Sequence, residues 1–150
     1  MESIHNFREI DLISDNLYLG DYTSACDQDI LDTRGITHIL TVGSYLSPKF
    51  LEKYKYKILE IDDSDETDIK QFFEEGIEFI NKALNSDGAI LIHCMAGISR
   101  SATMTIAYLM NTNQWKYRQA LIYVRGKRLI IDPNQGFEDQ LIEYETELGV

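Results

Sequence analysis

Cys94, Arg100 and Ser101, in the run His93-Cys94-Met95-Ala96-Gly97-Ile98-Ser99-Arg100-Ser101, are the residues of this chain best suited to covalent chemistry. A thiolate is a strong nucleophile, and a guanidinium fork grips two oxygens of a phosphoryl group. Cysteine and arginine six apart bracket a tight loop, whose inward backbone N–H groups hold a dianionic phosphate. The bare spacing is weak evidence. With two cysteines and six arginines in 150 residues, some cysteine has an arginine six positions on with a chance of about 0.08.

The flanking residues make the signal strong. Ala89-Ile90-Leu91-Ile92 is an unbroken apolar run and reads as a buried parallel strand entering the loop. Gly97 stands where a left-handed or crowded backbone needs a residue without Cβ. A helix of roughly Ser101–Met110, apolar almost all round, leads out and is expected to be central and buried. Ser101 is placed to cap it and to point its hydroxyl at the Cys94 sulfur. A free cysteine at a strand end is usually a small buried hydrophobe. Here the loop amides, the helix dipole and Arg100 are all expected to lower the thiol pKa, so that the thiolate dominates at neutral pH. The thiolate then attacks phosphorus, and water hydrolyses the cysteinyl-phosphate.

Release of an alkoxide or phenoxide also needs an acid. The loop Asp62, Asp63, Asp65, Glu66 is the candidate source, and chemistry alone does not choose among the four. The neighbouring acids are expected to raise the pKa of whichever one acts. In the second half-reaction the same carboxylate takes a proton from water.

The length bounds the chain to one domain with a substantial core. No apolar run approaches the ~20 residues of a membrane span. The start is polar, without a visible signal peptide. Met1 is followed by Glu2 rather than glycine, and the C-terminus lacks a CaaX cysteine, so no lipid anchor is expected. Two cysteines make no disulfide framework, and a thiolate nucleophile fits a reducing compartment, the cytoplasm or nucleus. A net charge of −11 argues against nucleic acid and anionic membranes as partners. It does not forbid a phosphate site, because the loop acts at contact distance while the global charge is screened within ~8 Å.

In chain order, Glu9–Ile13 and Leu17–Leu19 read as short strands around the turn Ser14-Asp15-Asn16. Ser24-x-x-Asp27 resembles a capping box before a helix ending near Arg34, with Gly35 behind it. Ile36–Val42 and Tyr56–Ile61 read as strands, and Ser47-Pro48 as the start of a short helix. Asp68-x-x-Gln71 caps a long helix whose apolar face is Ile69, Phe72, Phe73, Ile77, Ile80 and Leu84. Asp87-Gly88 turns the chain into the strand before Cys94. Asn111–Asn113 break the central helix, Trp115–Val124 is a further helix stopped at Gly126, and Asp132-Pro133-x-Gln135 opens a last helix. Strands alternating with helices predict an α/β fold: a central, mainly parallel sheet flanked by helices, with the phosphate loop between a central strand and a buried helix. Cys26, His5 and His38 have no evident partners and read as structural. No cluster has metal-ligand spacing, so no metal or cofactor is expected.

His93-Cys94-x5-Arg100-Ser101 resembles the signature of the cysteine-dependent protein phosphatases. The form Ala96-Gly97-Ile98-Ser99-Arg100-Ser101-Ala102, followed by Ala107-Tyr108-Leu109-Met110, is similar to the dual-specificity branch. Leu17-Tyr18-Leu19-Gly20 and Pro133-Asn134-Gln135-Gly136-Phe137 match as well, so the resemblance spans nearly the whole chain, 1–150. It implies a catalytic domain with the protein tyrosine phosphatase fold, acting on phosphotyrosine and phosphoserine/phosphothreonine of proteins. The implied roles are Cys94 as nucleophile; Met95, Ala96, Gly97, Ile98, Ser99 and Arg100 as the phosphate cradle; and Ser101 steadying the departing thiolate. In this family the acid lies five residues before the polar cap of the long helix, which selects Asp63. His93 is implied to fix the loop and tune the sulfur, a role compatible with an ordinary satisfied buried histidine. Asn134 either ties the last segment to the catalytic loop or is a plain first-turn residue. Relatives acting on phosphoinositides carry lysines inside the loop; Met95–Ser99 carries none, which favours a singly phosphorylated protein site over a lipid, RNA 5′ end or glucan. A phosphate-binding module without turnover is the remaining alternative, and intact Cys94, Arg100 and Asp63 argue against it. At this length the extra N-terminal docking domain carried by some relatives is not expected.

Overall fold

β5, Ile90–His93, runs through the centre of a five-stranded sheet and delivers the chain to Cys94. The computed structural model describes residues 10–150; His5 and Glu9 lie outside them. The other strands are β1 (Asp11–Ser14), β2 (Leu17–Gly20), β3 (His38–Val42) and β4 (Lys55–Leu59), in the order β1-β2-β5-β3-β4. β2 and β3 flank β5 in parallel, β4 pairs in parallel with β3, and only the edge strand β1 is antiparallel. The expected mainly parallel α/β sheet is therefore present.

Burial on both faces explains the unbroken apolar run of β5. Ile90 and Ile92 pack into the larger core, beneath α3 (Phe73–Asn85), α4 (Arg100–Asn113), α5 (Tyr117–Lys127) and α6 (Gln135–Leu148). Leu91 faces the smaller core with Leu31, Ile36 and Ile39, near the short helices α1 (Tyr22–Ala25) and α2 (Gln28–Thr33). A strand covered on both sides has no reason to alternate. α4 is buried at every position from Ser101 to Met110, as its composition predicts for a central helix. Ile69, Phe73, Ile77 and Ile80 are buried along one face of the 3-10 turn Lys70–Phe72 and of α3, and Asp68 Oδ1 accepts the Gln71 N–H at 3.3 Å.

Several boundaries differ from expectation, each for a local reason. Asp21 and Asp27 cap two short helices, and Ser24 is not a cap. The Asp27 carboxylate takes the Ile30 N–H, and an aspartate that caps a backbone N–H three residues on starts a new helix rather than continuing the one before. Residues 47–54 form turns rather than a helix: the Phe50 carbonyl takes the N–H of Lys53 and Tyr54, a single turn too short to propagate. α4 continues through Asn111–Asn113 and closes at Gln114, which is left-handed (φ 57°) and bonds the Asn111 carbonyl. α5 passes through Gly126 and ends where Arg128 turns extended (φ −142°), carrying its side chain inward. Asp132 does not cap α6; its N–H is tied to the Ile98 carbonyl, and the cap lies two residues further on. Asn134 takes over, its Oδ1 accepting the Phe137 N–H at 2.8 Å. His38 is structural, as expected: its ring bonds the Thr37 hydroxyl and meets Phe79 edge-on. Cys26 is half-buried and unbridged.

Candidate active site

The loop 94–99 is shaped by what its carbonyls bind. The Cys94 carbonyl accepts from the His93 ring at 3.1 Å and the Met95 carbonyl from the Tyr22 N–H at 3.0 Å. The carbonyls of Ala96 and Gly97 accept from the Arg128 guanidinium at 3.4 and 2.9 Å. The Ile98 carbonyl takes the Asp132 N–H at 2.8 Å, and the Ser99 carbonyl takes the Thr103 N–H at 2.9 Å. All these partners lie outside the loop. In a planar trans peptide the N–H of the next residue points opposite to the carbonyl, so the amides of residues 95–100 are turned to the loop's interior. The Gly97 N–H points at the Cys94 sulfur, 3.3 Å away.

Gly97 permits this turn in two ways. Its φ is +69°, and a Cβ there would lie 2.5 Å from the Gly20 carbonyl oxygen and 2.6 Å from Arg128 Nη2. Cys94 is 2% exposed, at the bottom of the loop, while Met95 and Ala96 are exposed at its rim. Ser101 Oγ lies 3.1 Å from the sulfur. The expected contact is there, but Ser101 is not the cap. α4 begins at Arg100 behind Ser99, because Ser101 turns inward and is fully buried.

Arg100 donates through Nη1 to the Ile61 carbonyl at 2.9 Å. Its Nε is buried without a hydrogen-bond partner. A buried orphan donor is costly, and an anionic oxygen, such as one of a phosphoryl group, is the kind of acceptor that could relieve it. Gly43 leaves room for this side chain: a Cβ there would lie 3.0 Å from Nη1.

Among the four candidate acids, Asp63 is the one joined to the loop. Its Oδ1 accepts from Ser99 Oγ at 2.8 Å and from Asn134 Nδ2 at 2.8 Å. Ser99 Oγ also accepts the Asn134 N–H at 3.1 Å. The Ser99 side chain is therefore committed to Asp63 and Asn134, which leaves only its backbone to face the loop interior. Asn134 does tie the last segment to the catalytic loop. Asp65 holds the neighbouring Gly136 N–H at 3.3 Å, and a Cβ on Gly136 would lie 1.9 Å from the Asp65 carbonyl oxygen.

His93 is buried and held by two hydrogen bonds. The Cys94 carbonyl can only accept, so Nδ1 carries the proton. Nε2 then accepts from the Thr41 hydroxyl at 2.9 Å. Burial lowers its pKa to about 4, against smaller upward pulls from the Cys94 carbonyl and Asp21. The ring is neutral at pH 7, a satisfied core histidine that also fixes the first peptide of the loop.

Arg128, Asp11 and Thr41 were not marked by the sequence. Arg128 follows Lys127 at the end of a helix, where a basic residue ordinarily faces solvent near the last carbonyls. No periodicity or motif sets it apart, yet it is 2% exposed beneath the loop, with its Nη1 2.8 Å from Asp11 Oδ2.

Comparison with known proteins agrees with this geometry. Residues 17–147 match the family described as dual specificity phosphatase, catalytic domain. Dual specificity protein phosphatase 1 of Arabidopsis thaliana is 38% identical over 139 residues, covering 93% of this chain and 70% of that protein. Dual specificity protein phosphatase 1-A of Xenopus laevis is 42% identical over 132 residues, covering 88% of this chain but 36% of its own length. The chain thus spans only about a third of some curated relatives. The crystal structure of human tyrosine phosphatase-like serine/threonine/tyrosine-interacting protein superposes with a TM-score of 0.91 at 40% identity, covering 95% of this chain and 99% of that one. The chain belongs to the dual specificity phosphatase catalytic domain family.

Proposed function

We propose that this chain hydrolyses phosphate monoesters on proteins, at phosphotyrosine and at phosphoserine or phosphothreonine, through a cysteinyl-phosphate. The observation that carries this reading is the loop itself. Its carbonyls are bound outward, its amides face inward over the Cys94 sulfur, and a buried, unpartnered Arg100 Nε lies beside them.

In the first half-reaction the Cys94 thiolate attacks phosphorus. The inward amides and Arg100 bear the charge of the transferring phosphoryl group. As the P–O bond breaks, the leaving oxygen takes a proton from Asp63. Ser99 and Asn134 both donate to Oδ1, so the transferable proton sits on Oδ2. In the second half-reaction Asp63 takes a proton from water, the water oxygen attacks phosphorus and the P–S bond breaks. The hydroxyl of Ser101, 3.1 Å from sulfur, steadies the thiolate as it departs. No Lys or Arg precedes Arg100 in the loop, which suits a singly phosphorylated side chain. The thiolate chemistry requires a reducing compartment, and we place the protein in the cytoplasm, the nucleus or both.

Defined phosphotyrosine and phosphothreonine peptides, a phosphoinositide and a 5′-phosphorylated RNA, each assayed with and without vanadate, test the proposal. It requires vanadate-sensitive turnover of the peptides above that of the lipid and RNA. Faster turnover of lipid or RNA transfers the chemistry to a non-protein substrate. Phosphopeptide binding without turnover makes the chain a phospho-residue-binding module.

A further inference from the structure

We infer that Arg128, oriented by Asp11, is a positioning residue for this reaction: it sets the two peptide planes that aim the Gly97 and Ile98 amides into the phosphate cradle. The inference rests on the phosphatase reading above. Each of three guanidinium nitrogens has its own partner. Nε donates to the Gly97 carbonyl at 2.9 Å, Nη2 to the Ala96 carbonyl at 3.4 Å, and Nη1 to Asp11 Oδ2 at 2.8 Å. The Ala96 carbonyl shares its peptide plane with the Gly97 N–H, which points at the Cys94 sulfur at 3.3 Å. The Gly97 carbonyl shares its plane with the Ile98 N–H. Holding these two carbonyls outward therefore holds both amides inward.

The arrangement suits only arginine. A rigid planar fork spans two successive carbonyls and a carboxylate at once, whereas a lysine ammonium is a single point of charge. The Arg128 side chain is 1% exposed, so its charge needs a partner, and Asp11, 35% exposed, supplies it from β1 at the sheet edge. The glycine is part of the same device. A Cβ at position 97 would lie 2.6 Å from Nη2, so only glycine lets the guanidinium reach these carbonyls. Glycine is also the residue most free to flip its flanking peptides, which is where an external clamp has most effect. The Arg128 guanidinium grips the outward carbonyls of Ala96 and Gly97, so it acts through the loop.

The test compares the unaltered chain with Arg128→Lys and Asp11→Asn. It measures kcat/KM on p-nitrophenyl phosphate, vanadate inhibition and thermal midpoint. Misaimed amides are expected to lower kcat/KM of Arg128→Lys by about 10- to 100-fold and to weaken vanadate inhibition in proportion. Asp11→Asn keeps an acceptor and loses the charge, and is expected to lose about 3- to 10-fold in both. A purely structural role lowers the midpoint and leaves both constants of the folded enzyme unchanged. Folded Arg128→Lys within twofold of the unaltered chain overturns the inference. If Arg128→Lys does not fold, Asp11→Asn decides by the same criterion. An unaltered chain that neither turns over substrate nor responds to vanadate removes the phosphatase reading itself, a different result from unimpaired variants of an active enzyme.

Discussion

Asp63 is hydrogen-bonded directly to Ser99 of the phosphate loop, Oδ1 to Oγ, at 2.8 Å. Since Asn134 binds the same oxygen, acid loop, phosphate loop and the start of α6 form one constellation. Asp63 is thereby fixed relative to the loop that carries Cys94 without a contact between the two side chains.

If Asp63 is the acid, Asp63→Asn slows the reaction by about 10²- to 10⁴-fold for alkyl phosphates, whose leaving groups most need the proton. The loss is smaller for nitrophenyl phosphate. The check is a plot of rate against leaving-group pKa, which steepens in the variant; an unaltered slope reassigns the acid to another member of the loop.

The tight approach of Gly136 to Asp65 gives an independent handle on the acid loop. Gly136→Ala places a methyl group 1.9 Å from the Asp65 carbonyl oxygen, so backbone must move. The expected cost is about 1–3 kcal/mol of stability. The activity loss should grow with leaving-group pKa, as in Asp63→Asn. Denaturant melts together with the leaving-group series measure both; a loss equal for all leaving groups contradicts the link.

Ser101 predicts a change of rate-limiting step. With its hydroxyl 3.1 Å from sulfur, Ser101→Ala impairs departure of the thiolate more than its attack. Rapid mixing with nitrophenyl phosphate should then show a burst of nitrophenol, one per chain, before a slowed steady state. Equal slowing of burst and steady state removes this role.

The buried His93 makes stability depend on pH. Its folded pKa is about 4 against 6.5 in an open chain. Between those values the unfolded state binds more protons, and stability falls as pH falls. The contribution is complete above about pH 6.5 and lost by about pH 4, worth up to ~3 kcal/mol. Burial also lowers His38, and the carboxylates titrate nearby, so His93 is isolated by difference. Urea midpoints at about pH 7 and pH 4.5 should separate less in His93→Gln than in the unaltered chain. Equal separations contradict a neutral buried ring.

Much of this was legible because it depends on local residue types. The apolar run 89–92, Gly97 and the apolar helix after Arg100 announced strand, turn and buried helix around Cys94. Asp63 was different: four acids of like chemistry stood together, and only family resemblance separated them. In the structure Asp63 alone of the four bonds Ser99. Helix ends were misplaced where tertiary bonds form at the boundary. The Ile98 carbonyl claims the Asp132 N–H, and Arg128 ends α5 by turning toward the loop. Arg128 itself was illegible, since its role depends on Asp11, 117 positions earlier.

The central claim is a covalent phosphoryl group on sulfur at position 94. Its most direct measurement is mass spectrometry of enzyme quenched in acid during turnover of a phosphotyrosine peptide, with peptide mapping of the adduct. One phosphoryl group on Cys94 is predicted. Cys94→Ser should show none, lose at least ~10⁴-fold in turnover and still bind the phosphopeptide. An adduct on another residue, or Cys94→Ser retaining turnover, contradicts the account.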